Sequence, residues 1–132
     1  MAKNTFDYII AGGGMAGLSL VFYLNESHSR DRKILIVDRE AKNKNDHTWC
    51  FWERKKSAFE EIVFRKWQGV WFHGTRDFSK FLDLGEYEYK MIRAVDFYGF
   101  IFSKIERNPN IAFLQADILE IVSNKNQAIV KT

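Results

Sequence analysis

Three glycines, Gly12, Gly14 and Gly17, stand at the spacing G-x-G-x-x-G between two apolar runs. The run before them, Phe6 to Ala11, is aromatic and β-branched with a single charge, Asp7, and reads as a short buried strand. The run after them, Met15 to Leu24, reads as a largely buried helix, and Lys33 to Asp38, with Ile34-Leu35-Ile36-Val37 inside it, as a second buried strand. Strand, helix and strand within about 33 residues make a βαβ unit, whose two strands run parallel. In that setting each glycine has a separate task. Gly12 permits the sharp turn from strand to helix, Gly14 lets a pyrophosphate approach the backbone, and Gly17 lets the helix pack close to the strand. The helix N-terminus adds free N–H groups and the positive end of its dipole.

Asp38 closes the second strand, 21 positions after Gly17. A carboxylate there accepts hydrogen bonds from ribose hydroxyls. It repels a 2′-phosphate, which favours FAD or NAD over NADP, although the adjoining Arg39 is a residue type that holds such a phosphate. The competing reading is a glycine-rich turn with no ligand.

The rest of the chain extends an α/β reading. With 132 residues it is long enough for one domain, and folding buries roughly 65–70% of the unfolded surface. Ala41 to Asp46 is a polar loop, and Ser57 to Arg65 reads as a short helix. Val70-Trp71-Phe72 and Phe78 to Leu84 flank Gly74-Thr75-Arg76-Asp77 and predict an antiparallel hairpin outside the parallel sheet. Ala94 to Glu106 is amphipathic, with Val95, Phe97, Tyr98, Ile101, Phe102 and Ile105 near a 3.6 period, and Asn108-Pro109-Asn110 stops it. Ile111 to Leu114 is a third parallel strand, and Ile118 to Val122 with Ala128 to Lys131 form a second hairpin. Because Thr132 follows directly on apparent strand, the chain reads as the N-terminal part of a longer protein.

Charge and composition exclude several classes. Twenty Lys and Arg against 17 Asp and Glu leave +3, mixed along the chain, which argues against nucleic acid and leaves weak attraction to an anionic membrane surface open. The uncharged run Tyr8 to Asn25 is too short to span a bilayer and is broken by Gly12-Gly13-Gly14. It also lacks the pattern of a secretory signal, so a cytoplasmic protein, or one peripheral to the cytoplasmic membrane, is expected. Cys50 is the only cysteine, so no intramolecular disulfide forms. His47 and Cys50 stand i, i+3 but have no further ligands at metal spacing, and no metal is expected. Asn25-Glu26-Ser27 matches a glycosylation sequon and is read as a helix end.

Asp46-His47-Thr48-Trp49-Cys50-Phe51-Trp52-Glu53 is a dense aromatic stretch. Its plain reading is core filling; the sharper one is a wall for a flat or polyene ligand. Glu53 beside those rings is an acid–base candidate if its pKa is raised, against the plainer reading of a surface glutamate. Arg93 precedes the amphipathic helix, where the dipole disfavours a cation. It is either a solvated charge or the partner of an anion such as a flavin phosphate. Ile118 is either core or a backbone position facing an adenine.

The stretch Asp7-Tyr8-Ile9-Ile10-Ala11-Gly12-Gly13-Gly14-Met15-Ala16-Gly17-Leu18-Ser19-Leu20 resembles the opening of the lycopene cyclases, within the FAD-dependent aromatic-hydroxylase-like proteins. The most specific part is Thr48-Trp49-Cys50-Phe51-Trp52, similar to the family's Thr-Trp-small-Phe-Trp signature, and Tyr89-Lys90-Met91-Ile92-Arg93-Ala94-Val95-Asp96-Phe97 resembles the segment leading into the family's next helix. The resemblance implies a Rossmann-like FAD-binding fold over residues 1–132, with a β-rich substrate subdomain beginning at 69–85. It implies non-redox cyclisation of the end groups of lycopene, an apolar polyene, through protonation, ring closure and proton loss, with reduced flavin present and NAD(P)H as the reductant of the whole enzyme. Probable FAD contacts carried over are Gly12, Gly14, Met15, Ala16, Asp38, Arg39, Arg93 and Ile118. The family's acidic catalytic motifs lie further along, so no catalytic residue beyond Glu53 is assigned. A related FAD monooxygenase, a polyprenyl reductase and a non-catalytic dinucleotide-binding module stay open. With only half a flavin site and unpaired strands, the segment by itself is expected to bind FAD weakly and to self-associate through its hairpins.

Overall fold

A computed structural model describes residues 4–132. In chain order the elements are β1 (Tyr8–Ala11), α1 (Met15–Asn25), β2 (Ile34–Asp38), β3 (Thr48–Glu53), β4 (Arg65–Trp67), β5 (Gly69–His73), β6 (Ser79–Asp83), β7 (Glu88–Arg93), α2 (Ala94–Ile105), β8 (Ile111–Gln115), β9 (Glu120–Ser123) and β10 (Ala128–Lys131). A single 3-10 turn, Glu60–Ile62, precedes β4. The chain divides into two compact units. One comprises the described residues up to Asn43 together with Tyr98–Thr132; the other is Lys44–Phe97.

The first unit is built on a parallel sheet in the order β1-β2-β8. β2 lies in the middle, which explains its uninterrupted apolar sequence: Ile34, Ile36 and Val37 are completely buried. The expected βαβ unit is therefore present, with Tyr8 paired to Ile34 and Ile34 paired to Ile111. Leu18, Val21 and Phe22 form the buried stripe of α1, and Phe22 packs on Phe100 of α2 at 5.6 Å between ring centroids. Phe102 meets Phe113 of β8 edge-on at 5.5 Å. A polar clasp closes the far end. Asn108 Nδ2 donates to Asn25 Oδ1 at 2.8 Å and to the Arg30 carbonyl at 2.9 Å, so the sequon asparagine is a buried helix end. β9 and β10 form the expected hairpin.

The second unit holds two antiparallel sheets, β3-β7-β4 and the hairpin β5-β6. Five residues connect the hairpin strands; within them Arg76 (57°) and Asp77 (58°) have positive φ, and the Phe78 N–H donates to the Thr75 carbonyl at 3.3 Å across them. Antiparallel structure begins at Thr48, well before residue 69. The helix expected over Ser57 to Arg65 is corrected. Phe59, Ile62 and Val63 imitate helical spacing, but after one 3-10 turn the Phe64 N–H donates to the Met91 carbonyl at 2.8 Å and draws the chain into the sheet. Among the described residues no helix is long and apolar enough to cross a membrane.

Candidate functional site

The turn between β1 and α1 is shaped by its glycines. Gly12 has φ +102°, a conformation side chains avoid, and its N–H donates to the Val37 carbonyl at 2.8 Å. A Cβ on Gly17 would lie 2.1 Å from the Gly12 carbonyl oxygen and 3.0 Å from Ile10 Cγ2, so helix and strand meet at a distance only glycine allows. A Cβ on Gly14 would meet nothing within 4 Å; the space beside that backbone is open. Gly14 caps α1 without a side-chain hydrogen bond, and no acidic residue occupies the first turn. The first intrahelical bond runs from the Leu18 N–H to the Gly14 carbonyl at 3.0 Å, so the N–H groups of Met15, Ala16 and Gly17 lie ahead of it at the positive end of the helix.

Asp38, at the end of β2, is brought directly to this turn. Its Oδ2 accepts from the Gly13 N–H at 2.7 Å, its Oδ1 from the Glu40 N–H at 2.8 Å, and Lys42 Nζ lies 2.9 Å from Oδ1. Burial works to raise its pKa. The Glu40 amide, the Lys42 ammonium and the Gly13 amide outweigh that and hold the carboxyl below its ordinary value. Asp38 is thus not the bare carboxylate expected to repel a 2′-phosphate. The structure pairs it with a cation, so that repulsion is largely cancelled.

Arg39 points away from this work: its side chain is 76% exposed and lies 3.9 Å from Glu40. Its carbonyl accepts from Gln115 Nε2 at 3.1 Å, and the Ala116 N–H donates to the Asp38 carbonyl at 3.0 Å. These bonds hold the segment after β8 to the end of β2, and half-buried Ile118 follows on that segment.

Arg93 and Glu53 belong to the second unit. Arg93 ends β7, gives two N–H groups to Asp96 at 2.6 and 3.1 Å, and lies over the Phe64 ring at 4.2 Å. Asp96, in the first turn of α2, supplies the negative charge that the helix N-terminus favours there. Glu53, the acid–base candidate, is paired with a buried lysine. Its Oε2 lies 2.7 Å from Lys90 Nζ, whose side chain is 1% exposed. Burial works to lower the Lys90 pKa, but Glu53 and Glu60 more than offset it and push it up. Strand alternation also divides the aromatic stretch. Trp49 faces inward to Phe97 at 5.3 Å, while Trp52 lies on the opposite face, where Trp52, Tyr89 and Trp67 form a row across β3, β7 and β4 at 4.4 and 5.8 Å.

Sequence reasoning missed Gly13, Lys42 and Lys90. A Cβ on Gly13 would lie 3.2 Å from Lys42 Cε and 3.4 Å from the Asp38 carboxylate, so a side chain there would fit tightly against both. Its position inside the glycine triplet was a usable signal. Lys42 had none, being one lysine in a polar loop.

An adenine dinucleotide fits these residues: an open backbone at Gly14, helix amides beyond it, and a carboxylate tied to the same turn. The structure resembles a probable FAD-dependent monooxygenase, pqsL from Pseudomonas aeruginosa, with TM-score 0.68 and 13% identity over 92% of this chain and 36% of that one. It also resembles the p-nitrophenol 4-monooxygenase PnpA from Pseudomonas putida DLL-E4, with TM-score 0.66 and 12% identity over 93% of this chain and 35% of that one. The chain thus spans little more than a third of these solved chains, and at such identity the likeness is one of fold. No curated protein matches the sequence. The family model described as lycopene cyclase protein matches residues 7–132, nearly the whole chain. The chain belongs to the lycopene cyclase family.

Proposed function

We propose that this chain is the FAD-binding part of an enzyme that closes the end groups of lycopene into β-rings without net redox change. The observation that supports the flavin assignment is the bond between the Gly13 amide and Asp38, which sets the carboxylate proposed to hold the ribose beside the turn proposed to take the phosphates. The family match supports the reaction. In this proposal the turn Gly12 to Ala16 takes the pyrophosphate and Asp38 the adenosine ribose. Arg39 and Ile118 flank the adenosine through their backbone. Arg93 is carried over by the family resemblance alone as a flavin-phosphate contact, and it keeps three N–H donors that Asp96 does not take. When bound in its reduced form, the flavin would supply electron density able to stabilise developing positive charge on the substrate. NAD(P)H is the proposed reductant. The half-exposed row Trp52–Tyr89–Trp67 offers a polyene a flat apolar surface, and Trp71, Phe72, Phe78 and Phe81, exposed on β5-β6, suit a peripheral contact with the membrane that dissolves it.

The flavin monooxygenases of similar fold favour a second reading, oxygen insertion. One experiment separates them. The intact protein is incubated with reduced FAD and lycopene in liposomes under anaerobic conditions. Ring-closed product of unchanged mass supports cyclisation. No product without oxygen, and oxygenated product with it, supports the monooxygenase.

A further inference from the structure

We infer that Lys42 competes with the nucleotide's ribose for Asp38, and so sets the affinity of the dinucleotide site. The inference rests on the FAD reading above and assigns a residue that the glycine motif does not include.

A carboxylate offers about four acceptor positions. Three on Asp38 are occupied: Oδ1 by the Glu40 amide at 2.8 Å and the Lys42 ammonium at 2.9 Å, and Oδ2 by the Gly13 amide at 2.7 Å. A ribose presents two neighbouring hydroxyls, each a donor. One acceptor position remains for them. The two backbone amides are fixed by the strand end and the glycine turn, so the mobile competitor is Lys42.

Lys42 is not a loosely placed surface lysine. Its side chain is 7% exposed and that of Asp38 12%, so water screens the pair little. Its backbone has φ +56°, a conformation uncommon outside glycine, asparagine and aspartate. Its ammonium lies 5.6 Å from the centroid of the Tyr98 ring, and its Cε lies close enough to Gly13 that a Cβ there would be 3.2 Å away. The side chain is thus threaded between the glycine turn and Tyr98 and delivered to the carboxylate. A ribose that engages Asp38 with both hydroxyls must displace this ammonium. Arg39, 76% exposed, does not occupy the same place.

The test is calorimetric titration of the intact protein with FAD, ADP and FMN, using wild type, Lys42→Met, Lys42→Gln and Asp38→Ala. Freeing one hydrogen-bond position should tighten FAD and ADP binding in Lys42→Met by roughly two- to tenfold. The gain should be smaller in Lys42→Gln, which keeps an uncharged donor. FMN has no adenosine ribose and should not respond. If Lys42→Met is too unstable to titrate, the sign of the change in Lys42→Gln decides. Equal or weaker FAD and ADP binding in the lysine variants, with Asp38→Ala still weakening both, overturns the role of Lys42 and leaves the flavin site standing. Unchanged binding in Asp38→Ala overturns both.

Discussion

The Gly13 amide donates to Oδ2 of Asp38 at 2.7 Å, across 25 positions of sequence. Gly13 is neither the turn glycine nor the packing glycine of its motif, yet its amide ties the glycine turn to the end of β2 through a side chain. The register of β1 with β2, in which Ala11 pairs with Val37, delivers the two residues to the same end of the sheet. Parallel strands present their C-terminal ends together, and that end is where open α/β sheets bind ligands.

Asp38→Ala should therefore weaken FAD binding by about 1.5–3 kcal/mol, the range for hydrogen bonds to a charged group. Asp38→Asn keeps the shape but loses the charge and should fall between alanine and wild type. Fluorescence titration of FAD with each variant measures both, and equal affinities across the three proteins would remove Asp38 from the site.

The same carboxylate sets a pH response. Its pKa in the folded chain lies below the ordinary 3.8, so the ionised form is the one the fold prefers. The stabilisation is fully present above that ordinary value and is lost as pH falls through the lower folded one. Melting temperatures of wild type and Asp38→Asn, followed from about pH 6 to about pH 2, should differ at the upper end and converge at the lower. Curves that stay parallel would show that Asp38 contributes nothing through its charge.

Gly14 and Gly17 should respond in opposite ways to the same substitution. Gly17→Ala forces a Cβ to 2.1 Å from backbone oxygen and should unfold or severely destabilise the chain. Gly14 has φ −78°, which alanine adopts readily, and a Cβ there meets nothing within 4 Å. Gly14→Ala should melt near wild type yet bind FAD at least about tenfold more weakly, because the new methyl fills the space proposed for the pyrophosphate. Undiminished FAD affinity in Gly14→Ala would move the phosphates elsewhere.

How much of this was legible beforehand follows from which residues face inward. β1, α1, β2 and β8 announce themselves because their inward positions are apolar, and the glycine spacing fixes where the turn falls. β7 was invisible for the opposite reason. Its inward side chains are Lys90 and Ile92, so a lysine interrupts the alternation that marks a strand. β3 carries large rings on both faces, which hid its period and merged Trp49 with Trp52. β4 is three residues long, Arg65-Lys66-Trp67, and exists only because β7 is there to pair with it. The ion pairs of Lys42 with Asp38 and of Glu53 with Lys90 were not legible, because charge pairing across loops and strands leaves no periodic trace.

Lys90 yields the last prediction. Its side chain is 1% exposed and its ammonium lies 2.7 Å from Glu53, 2.6 Å from Glu60 and 3.5 Å from Glu88. Lys66 also pairs with Glu60, whose pKa is lowered first by Lys66 and then by Lys90. Removing Lys90 thus leaves Glu60 a partner but takes from Glu53 the cation that lies against it. Breaking a buried pair from one side costs about 3–5 kcal/mol, and the carboxylates here keep some access to water, so Lys90→Met should cost about 3 kcal/mol. Adding Glu53→Gln removes the stranded charge and should recover a good part of that loss, as a double-mutant cycle by urea denaturation would measure. The pKa of Lys90 is raised above 10.5, so its stabilisation is complete below that value and is lost only as pH climbs through the higher folded one. Wild type should therefore show no loss from this group across neutral pH. The outcome also bears on Glu53. Additive costs in the cycle would mean that the two side chains do not act as a pair.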